Sequence, residues 1–162
     1  MKAKFICPLI VVRDMEVSRR FFEKMLGQEV EYDFGGNISF RGGFAIHRMS
    51  HFASLTGNSD IIFNSNNAEL YFESTELVEL RDELVRSGIH FIHDIVEQPW
   101  KQQVMRFYDP DGHIIEVGEP LNYTARRLSA EGLSEDQISL TMGVPPESVS
   151  IWLSNKAPDN SG

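Results

Sequence analysis

Glu116 is the carboxylate whose sequence surroundings most strongly suggest chemistry. It lies in the apolar run 114–117, directly after an Asp-Pro-Asp-Gly sequence at residues 109–112. Proline presets φ and glycine accepts a positive φ, so the two flanking apolar runs predict a β-hairpin with Glu116 on its second strand. An unpaired buried carboxylate is costly. Glu116 is therefore either ion-paired in the core or a ligand at a polar cavity.

The second group of polar side chains occupies the segment Glu-Leu-Tyr-Phe-Glu at residues 69–73. Side chains alternate between the two faces of a strand. This predicts that Leu70 and Phe72 pack on helices, while Glu69, Tyr71 and Glu73 point together into a cavity.

The composition predicts a soluble globular protein with one domain, or one domain with an appendage. The chain has 162 residues, and its net charge of -9 argues against nucleic acid or an acidic membrane surface as the main partner. With Cys7 as its single cysteine, the chain has no internal disulfide framework, so we expect a cytoplasmic location. The apolar run 5–12 is too short to span a membrane and is predicted to be a buried strand.

Apolar periodicity and turn residues predict the same order of elements twice along the chain. A helix over 15–26, capped by Asp14 and ended by Gly27, follows the first strand. A second helix, capped by Thr75, ends at Gly88. Residues 51–67 form a polar connector between the two halves. The predicted strands are at 5–12, 29–34, 38–40 and 44–49, then at 70–72, 89–96, 103–108 and 113–117.

Spacing supports an internal repeat. Gly27 and Gly88 lie 61 positions apart, and the segment 41–47 matches 110–116 at an offset of 69. The extra residues fall in the loop that contains Trp100. His47 and Glu116 are thereby equivalent positions in two βαβββ units.

These motifs resemble the vicinal oxygen chelate superfamily, which includes glyoxalase I, bleomycin- and fosfomycin-resistance proteins and extradiol dioxygenases. The resemblance implies an α+β fold in which two βαβββ repeats form an incompletely closed mixed-sheet barrel. It covers residues 4–120, with repeat one at 4–50 and repeat two at 68–120. The motifs that carry it are Leu9-Ile10-Val11-Val12-Arg13-Asp14, Ser18, Phe21-Phe22, Leu26-Gly27 and Arg106-Phe107-Tyr108-Asp109-Pro110-Asp111-Gly112-His113-Ile114-Ile115-Glu116.

The resemblance also implies a divalent metal, held by residues of the first and last strands of each repeat. The corresponding positions here are Cys7, His47, Glu69 and Glu116. One imidazole and two carboxylates suit Zn, Ni, Mn or Fe. Cys7 stands where the superfamily usually has histidine or glutamate, and a buried apolar cysteine is the alternative reading of that position.

By resemblance, the function is that of a metal-dependent lyase or isomerase of the glyoxalase type, acting on a small oxygenated molecule by chelating its oxygens. Glu69 or Glu116 would then serve as the general base. The alternative is a cavity whose carboxylates are satisfied by each other, by His47 or by Arg106. Such a chain would bind a small molecule without catalysis, as bleomycin-resistance proteins do.

Four residues are predicted to contact the substrate: Tyr71, Glu73, Trp100 and Arg106. Trp100 could instead anchor its own loop. His93 is expected at the surface or at a dimer interface, and His113 is expected to stabilise the turn that precedes it.

Residues 121–157 are predicted to form a helical extension, followed by a disordered tail at 158–162. The pattern resembles a helix-turn-helix, but its second helix contains no Lys or Arg, and phosphate contacts need positive charge. We therefore expect a helical cap on the domain or on a dimer partner. The expected partners are a small-molecule substrate and a second copy of the chain, with no nucleic acid and no membrane.

Overall fold

The computed structural model describes residues 2–154, which fall into two compact units. The first unit comprises the chain up to Glu69 together with Tyr108–Ile114, and the second comprises Leu70–Phe107 and the chain from Ile115 onward. The tail predicted at 158–162 lies outside the described residues.

The first unit is built on a four-stranded mixed sheet. Its strands are β1 (Leu9–Val12), β2 (Val30–Asp33), β3 (Asn37–Phe40) and β4 (Phe44–Arg48), in the order β1-β4-β3-β2. Strand β1 runs parallel to β4, whereas β2–β3 and β3–β4 are antiparallel. This is the βαβββ order predicted from the sequence.

Helix α1 (Met15–Met25) covers one face of that sheet. Asp14 begins it as predicted, because its carboxylate accepts hydrogen bonds from the backbone N–H groups of Glu16 and Val17. Phe22 is fully buried, with its ring 4.9 Å from that of Phe44 and 5.5 Å from that of Phe40. Aromatic packing thus fixes the helix on the sheet.

Two predictions about the first unit are wrong. The first strand begins at Leu9 instead of residue 5, and Phe5 is 79% exposed. Pro8 has no N–H group for strand pairing, so regular pairing starts after it. The connector also contains a helix, α2 (Met49–Thr56), which ends at Gly57 with a left-handed φ of 69°.

The Asp-Pro-Asp-Gly turn of the second repeat belongs to the first unit. The buried carboxylate of Asp111 accepts hydrogen bonds from the Arg13 backbone N–H and guanidinium and from the Ser18 hydroxyl. Gly112 has the positive φ that the turn predicts, 85°. His113 Nδ1 lies 2.8 Å from Asp109 Oδ2, so His113 stabilises the turn as predicted.

The second unit repeats the architecture of the first. Strands β5 (Glu69–Glu73), β6 (Phe91–Glu97), β7 (Gln103–Tyr108) and β8 (Ile114–Gly118) form a sheet in the order β5-β8-β7-β6. Helix α3 (Leu77–Arg86) follows β5; it starts after Glu76, so the predicted cap at Thr75 is wrong. Each four-stranded sheet has two edge strands, and neither closes into a barrel by itself. The predicted α+β fold of two βαβββ repeats is confirmed.

Three helices follow the second sheet: α4 (Leu121–Ala130), α5 (Glu135–Met142) and α6 (Pro146–Ser154). Ser134 caps α5 in a reciprocal capping box with Gln137. The helices share a small apolar core consisting of Ala125, Leu128, Ile138, Met142 and Val149. A helical extension is therefore present where the sequence predicts one.

Within residues 2–154, none of the helices is long and apolar enough to cross a membrane.

Candidate functional site

One face of the second sheet carries a row of polar side chains, with one residue from each strand. We call Tyr71, His93, Arg106 and Glu116 the polar row; they lie on β5, β6, β7 and β8, respectively. The opposite face is apolar, with Met105, Phe107, Ile115 and Val117 almost completely buried. Side-chain alternation along the strands produces this separation.

Arg106 contacts two other members of the polar row, Glu116 and His93. Its NH2 group forms an ion pair with the Glu116 carboxylate, and its NH1 group lies 3.3 Å from His93 Nε2. His93 Nδ1 is 2.8 Å from the Asp94 carbonyl, which can only accept, so Nε2 is left to accept from Arg106. Glu116 is thus a paired buried carboxylate, one of the two readings that the sequence left open.

A second network, the aromatic relay, links Trp100 to Tyr71 through Gln102. Trp100 Nε1 donates to Gln102 Oε1 at 2.9 Å, and Gln102 Nε2 donates to the Tyr71 hydroxyl at 2.9 Å and to the Glu119 carbonyl at 2.8 Å. The Tyr71 hydroxyl in turn donates to Glu73 Oε1 at 3.1 Å. Gln102 is buried and its amide is fully used, so it fixes the positions of both aromatic side chains.

The pKa of Tyr71 is raised to about 12, chiefly by partial burial of the phenol; the carboxylates of Glu73 and Glu116 contribute to the rise, and the hydrogen bond from Gln102 opposes it. The phenol therefore keeps its proton at neutral pH and donates a hydrogen bond to Glu73. The effect of Glu116 on Tyr71 also places the polar row and the aromatic relay in one electrostatic environment.

Gly118 on β8 makes room for the relay. A Cβ atom at this position would lie 2.9 Å from Gln102 Nε2 and 3.2 Å from both the Tyr71 hydroxyl and Val104 Cγ1. A residue with a Cβ atom would therefore force these side chains to shift.

The equivalent position in the first sheet has a different environment. His47 on β4 is buried, with its Nε2 atom 3.0 Å from His51 Nδ1 and its ring in edge contact with Phe52 of α2. Burial lowers the pKa of His47, and the neighbouring His51 lowers it further. His47 is therefore a neutral imidazole covered by the connector helix.

The remaining predicted site residues lie closer to the protein surface than His47 and Glu116. Cys7 is half-buried and precedes β1, outside the paired strand. Glu69 is the first residue of β5 and is exposed, as are Tyr71 and Glu73 on the same face. Leu70 and Phe72 are half-buried, as the alternation predicts.

A family model described as the glyoxalase-like domain matches residues 5–122. This chain belongs to the glyoxalase-like domain family. The match includes both βαβββ repeats and ends at the start of α4, so most of the helical extension lies beyond it. A comparison with curated proteins gave no match.

Solved structures support the glyoxalase-like fold. A protein of unknown function from Agrobacterium tumefaciens is 36% identical, with a TM-score of 0.67, over 74% of this chain and 96% of that one. A glyoxalase/bleomycin resistance protein/dioxygenase from Nocardioides is 22% identical, with a TM-score of 0.57, over 74% and 85%. The fosfomycin resistance protein FosX from Mesorhizobium loti is 16% identical, with a TM-score of 0.53, over 74% and 94%.

Divalent metals are common in this superfamily, but two of the predicted donors have other partners in this structure. The Glu116 carboxylate is paired with Arg106, and the His47 Nε2 atom faces His51. Among the residues that the structure describes, no group of three or more His, Cys, Asp or Glu side chains is placed to hold an ion.

Sequence reasoning missed two members of these networks. Gln102 follows the predicted loop tryptophan, but nothing in its surroundings signals a buried amide. The sequence predicts His93 at the surface or at a dimer interface; its alternation with Ile92 and Asp94 on the predicted sixth strand is the signal that could have placed it beside Arg106.

Several of the charged residues that line a cleft of about 370 Å³ in the first unit already have partners. Arg13 pairs with Asp111, Asp33 pairs with Arg19, and Arg48 donates to the Gly35 carbonyl. We therefore treat the face of the second sheet as the candidate site.

Proposed function

We propose that this glyoxalase-like protein binds a small organic cation on the face formed by the polar row and the aromatic relay, without a metal. The Arg106–Glu116 ion pair carries the proposal, because it neutralises the carboxylate that the metal-dependent alternative requires. This corresponds to the non-catalytic, bleomycin-resistance-like function considered from the sequence.

The chemistry of the accessible groups favours a cation. Tyr71 is 47% exposed and Trp100 is 38% exposed, and Glu73 adds an exposed carboxylate bonded to the Tyr71 hydroxyl. Aromatic faces and a carboxylate together attract ammonium groups, because the ring quadrupole and the negative charge act in the same direction. The ordered Gln102 amide reduces the entropy lost when a ligand orders these side chains.

Titration calorimetry with benzyltrimethylammonium tests this proposal. Binding should persist after treatment with a chelator, and Glu73→Gln should weaken it about tenfold by removing the charge while keeping the shape. Glu23→Gln is a matched control, since Glu23 is a partly exposed glutamate on α1 paired with Arg19. No binding by the wild-type protein, or equal binding by Glu73→Gln, would overturn the proposal.

The metal-dependent lyase or isomerase is the second candidate. The observation that favours it is the buried, neutral imidazole of His47, which is the form that binds metal. The metal-dependent function predicts that Cys7, His47, Glu69 and Glu116 supply metal ligands and that Glu69 or Glu116 acts as the base. Metal analysis of protein purified without chelator, compared with His47→Ala, would show stoichiometric metal that the variant loses.

The homodimer, the cytoplasmic location and the absence of a nucleic-acid partner remain predictions. Helices α5 and α6 contain no Lys or Arg between Glu135 and Ser154, which supports the last of these.

A further inference from the structure

The loop that carries Trp100 is bent at Lys101, which has a left-handed φ of 72°. Side-chain-bearing residues populate this region sparsely, so the surrounding structure must hold it. Two backbone hydrogen bonds close the loop, from the Lys101 N–H to the Gln98 carbonyl and from the Gln98 N–H to the Gln102 carbonyl, both at 2.8 Å. Because Lys101 separates Trp100 from Gln102, its conformation sets the direction of both.

Arg127 on α4 contacts this loop at the strained residue. Its NH2 group donates to the Lys101 carbonyl at 2.6 Å and to Glu119 Oε1 at 2.8 Å. The same Glu119 oxygen accepts from the Gln103 backbone N–H at 3.1 Å and from the Thr124 hydroxyl at 3.0 Å. The Arg127 guanidinium thus binds the bend directly and is connected through Glu119 to Gln103 at the start of β7.

Packing within the helical extension holds the part of α4 that carries Arg127 in place. Leu128, its neighbour on α4, is buried in the core shared by α4, α5 and α6. Arg127 lies beyond residue 122, where the family match ends, so this contact comes from the part of the chain that the glyoxalase-like domain does not include.

The geometry points to Arg127 as a positioning residue that holds Lys101 in its left-handed conformation and thereby orients the Trp100–Gln102 part of the binding face. The helical extension is then a support for the site. Its relevance to ligands rests on the proposed function, but the positioning itself can be measured in the free protein.

Hydrogen exchange on the full chain tests the positioning. In Arg127→Ala, the amides of Gln98 and Lys101 should exchange about tenfold faster, while those of β8 keep their protection. Adding Lys101→Gly should restore slow exchange, because glycine adopts a left-handed conformation without help. Arg127→Lys serves as a milder variant if the alanine variant folds poorly, and it should show intermediate exchange.

Arg126→Ala is the matched control. It removes the neighbouring arginine, whose Nε atom donates to the Trp152 carbonyl within the helical extension. Exchange at Gln98 and Lys101 should not change in this variant. Acrylamide quenching of Trp100, measured in a Trp152→Phe background, should rise in Arg127→Ala and fall again when Lys101→Gly is added.

Unchanged loop exchange in both Arg127 variants, or a failure of Lys101→Gly to restore it, would overturn the inference. Benzyltrimethylammonium affinity separates this inference from the proposed function. If the wild-type protein does not bind the cation but the exchange results hold, the proposed function fails and the role of Arg127 stands. If the wild-type protein binds benzyltrimethylammonium and the exchange results also hold, Arg127→Ala should lower the affinity for the cation. Adding Lys101→Gly to that variant should then restore the affinity.

Discussion

The two sheets present equivalent positions in opposite chemical states. His47 on β4 faces a second imidazole under a helix of its own unit, whereas Glu116 on β8 pairs with an arginine on the adjacent strand. In the first sheet, burial under α2 keeps the position neutral. In the second sheet, the Arg106 guanidinium balances the charge of the Glu116 carboxylate. A duplicated fold therefore supplies two similar backbones, but the local partners determine which face retains polar chemistry.

The largest expected effect comes from breaking the ion pair in the second sheet. Glu116→Gln should lower the free energy of unfolding by about 2 kcal/mol, less than the ~3–5 kcal/mol of a fully buried pair, since Arg106 is 26% exposed. Urea denaturation measures the change. The double variant Glu116→Met with Arg106→Met should recover most of the loss, and a double variant as unstable as the single one would argue against ion pairing as the cause.

A smaller effect should follow from filling the space beside the aromatic relay. Gly118→Ala places a methyl group against Gln102 and Tyr71 and should cost about 1–2 kcal/mol by overpacking. Thermal unfolding measures it. Gly42→Ala in the first repeat is the matched control, because its Cβ would meet mainly the end of the half-buried Gln28 side chain. Equal losses in the two variants would contradict a special role for the relay.

The smallest effect concerns the pH dependence of the first sheet. The pKa of His47 is lowered in the folded state, so the unfolded chain takes up the proton first as the pH falls below about 6.5. The contribution of His47 to stability is complete above that pH and is lost progressively until its lower folded pKa is passed. His47→Asn should flatten the slope of unfolding free energy between pH 7.5 and 5, measured by urea denaturation. An unchanged slope would show that other groups produce it.

The sequence was sufficient for the fold because its signals were local and repeated. Asp14 and Gly27 bound α1, and alternation separated Leu70 and Phe72 from Tyr71. The details of the site depend on contacts that no local pattern specifies. Gln102 reaches Tyr71 across 31 positions of the chain, and α2 covers His47 through a connector that looked like a polar loop. Contacts between side chains that are distant in the chain follow from tertiary packing, which no local sequence pattern specifies.

Asp111 has a consequence for the order of folding. Its carboxylate completes the network around Arg13, at a separation of 98 positions along the chain. Closing so long a loop is entropically expensive and slows the formation of non-local contacts. During synthesis, the first unit must wait for most of the second repeat to emerge before Asp111 can reach the start of α1. We therefore expect the two repeats to reach their native state together, with neither serving as a finished template for the other.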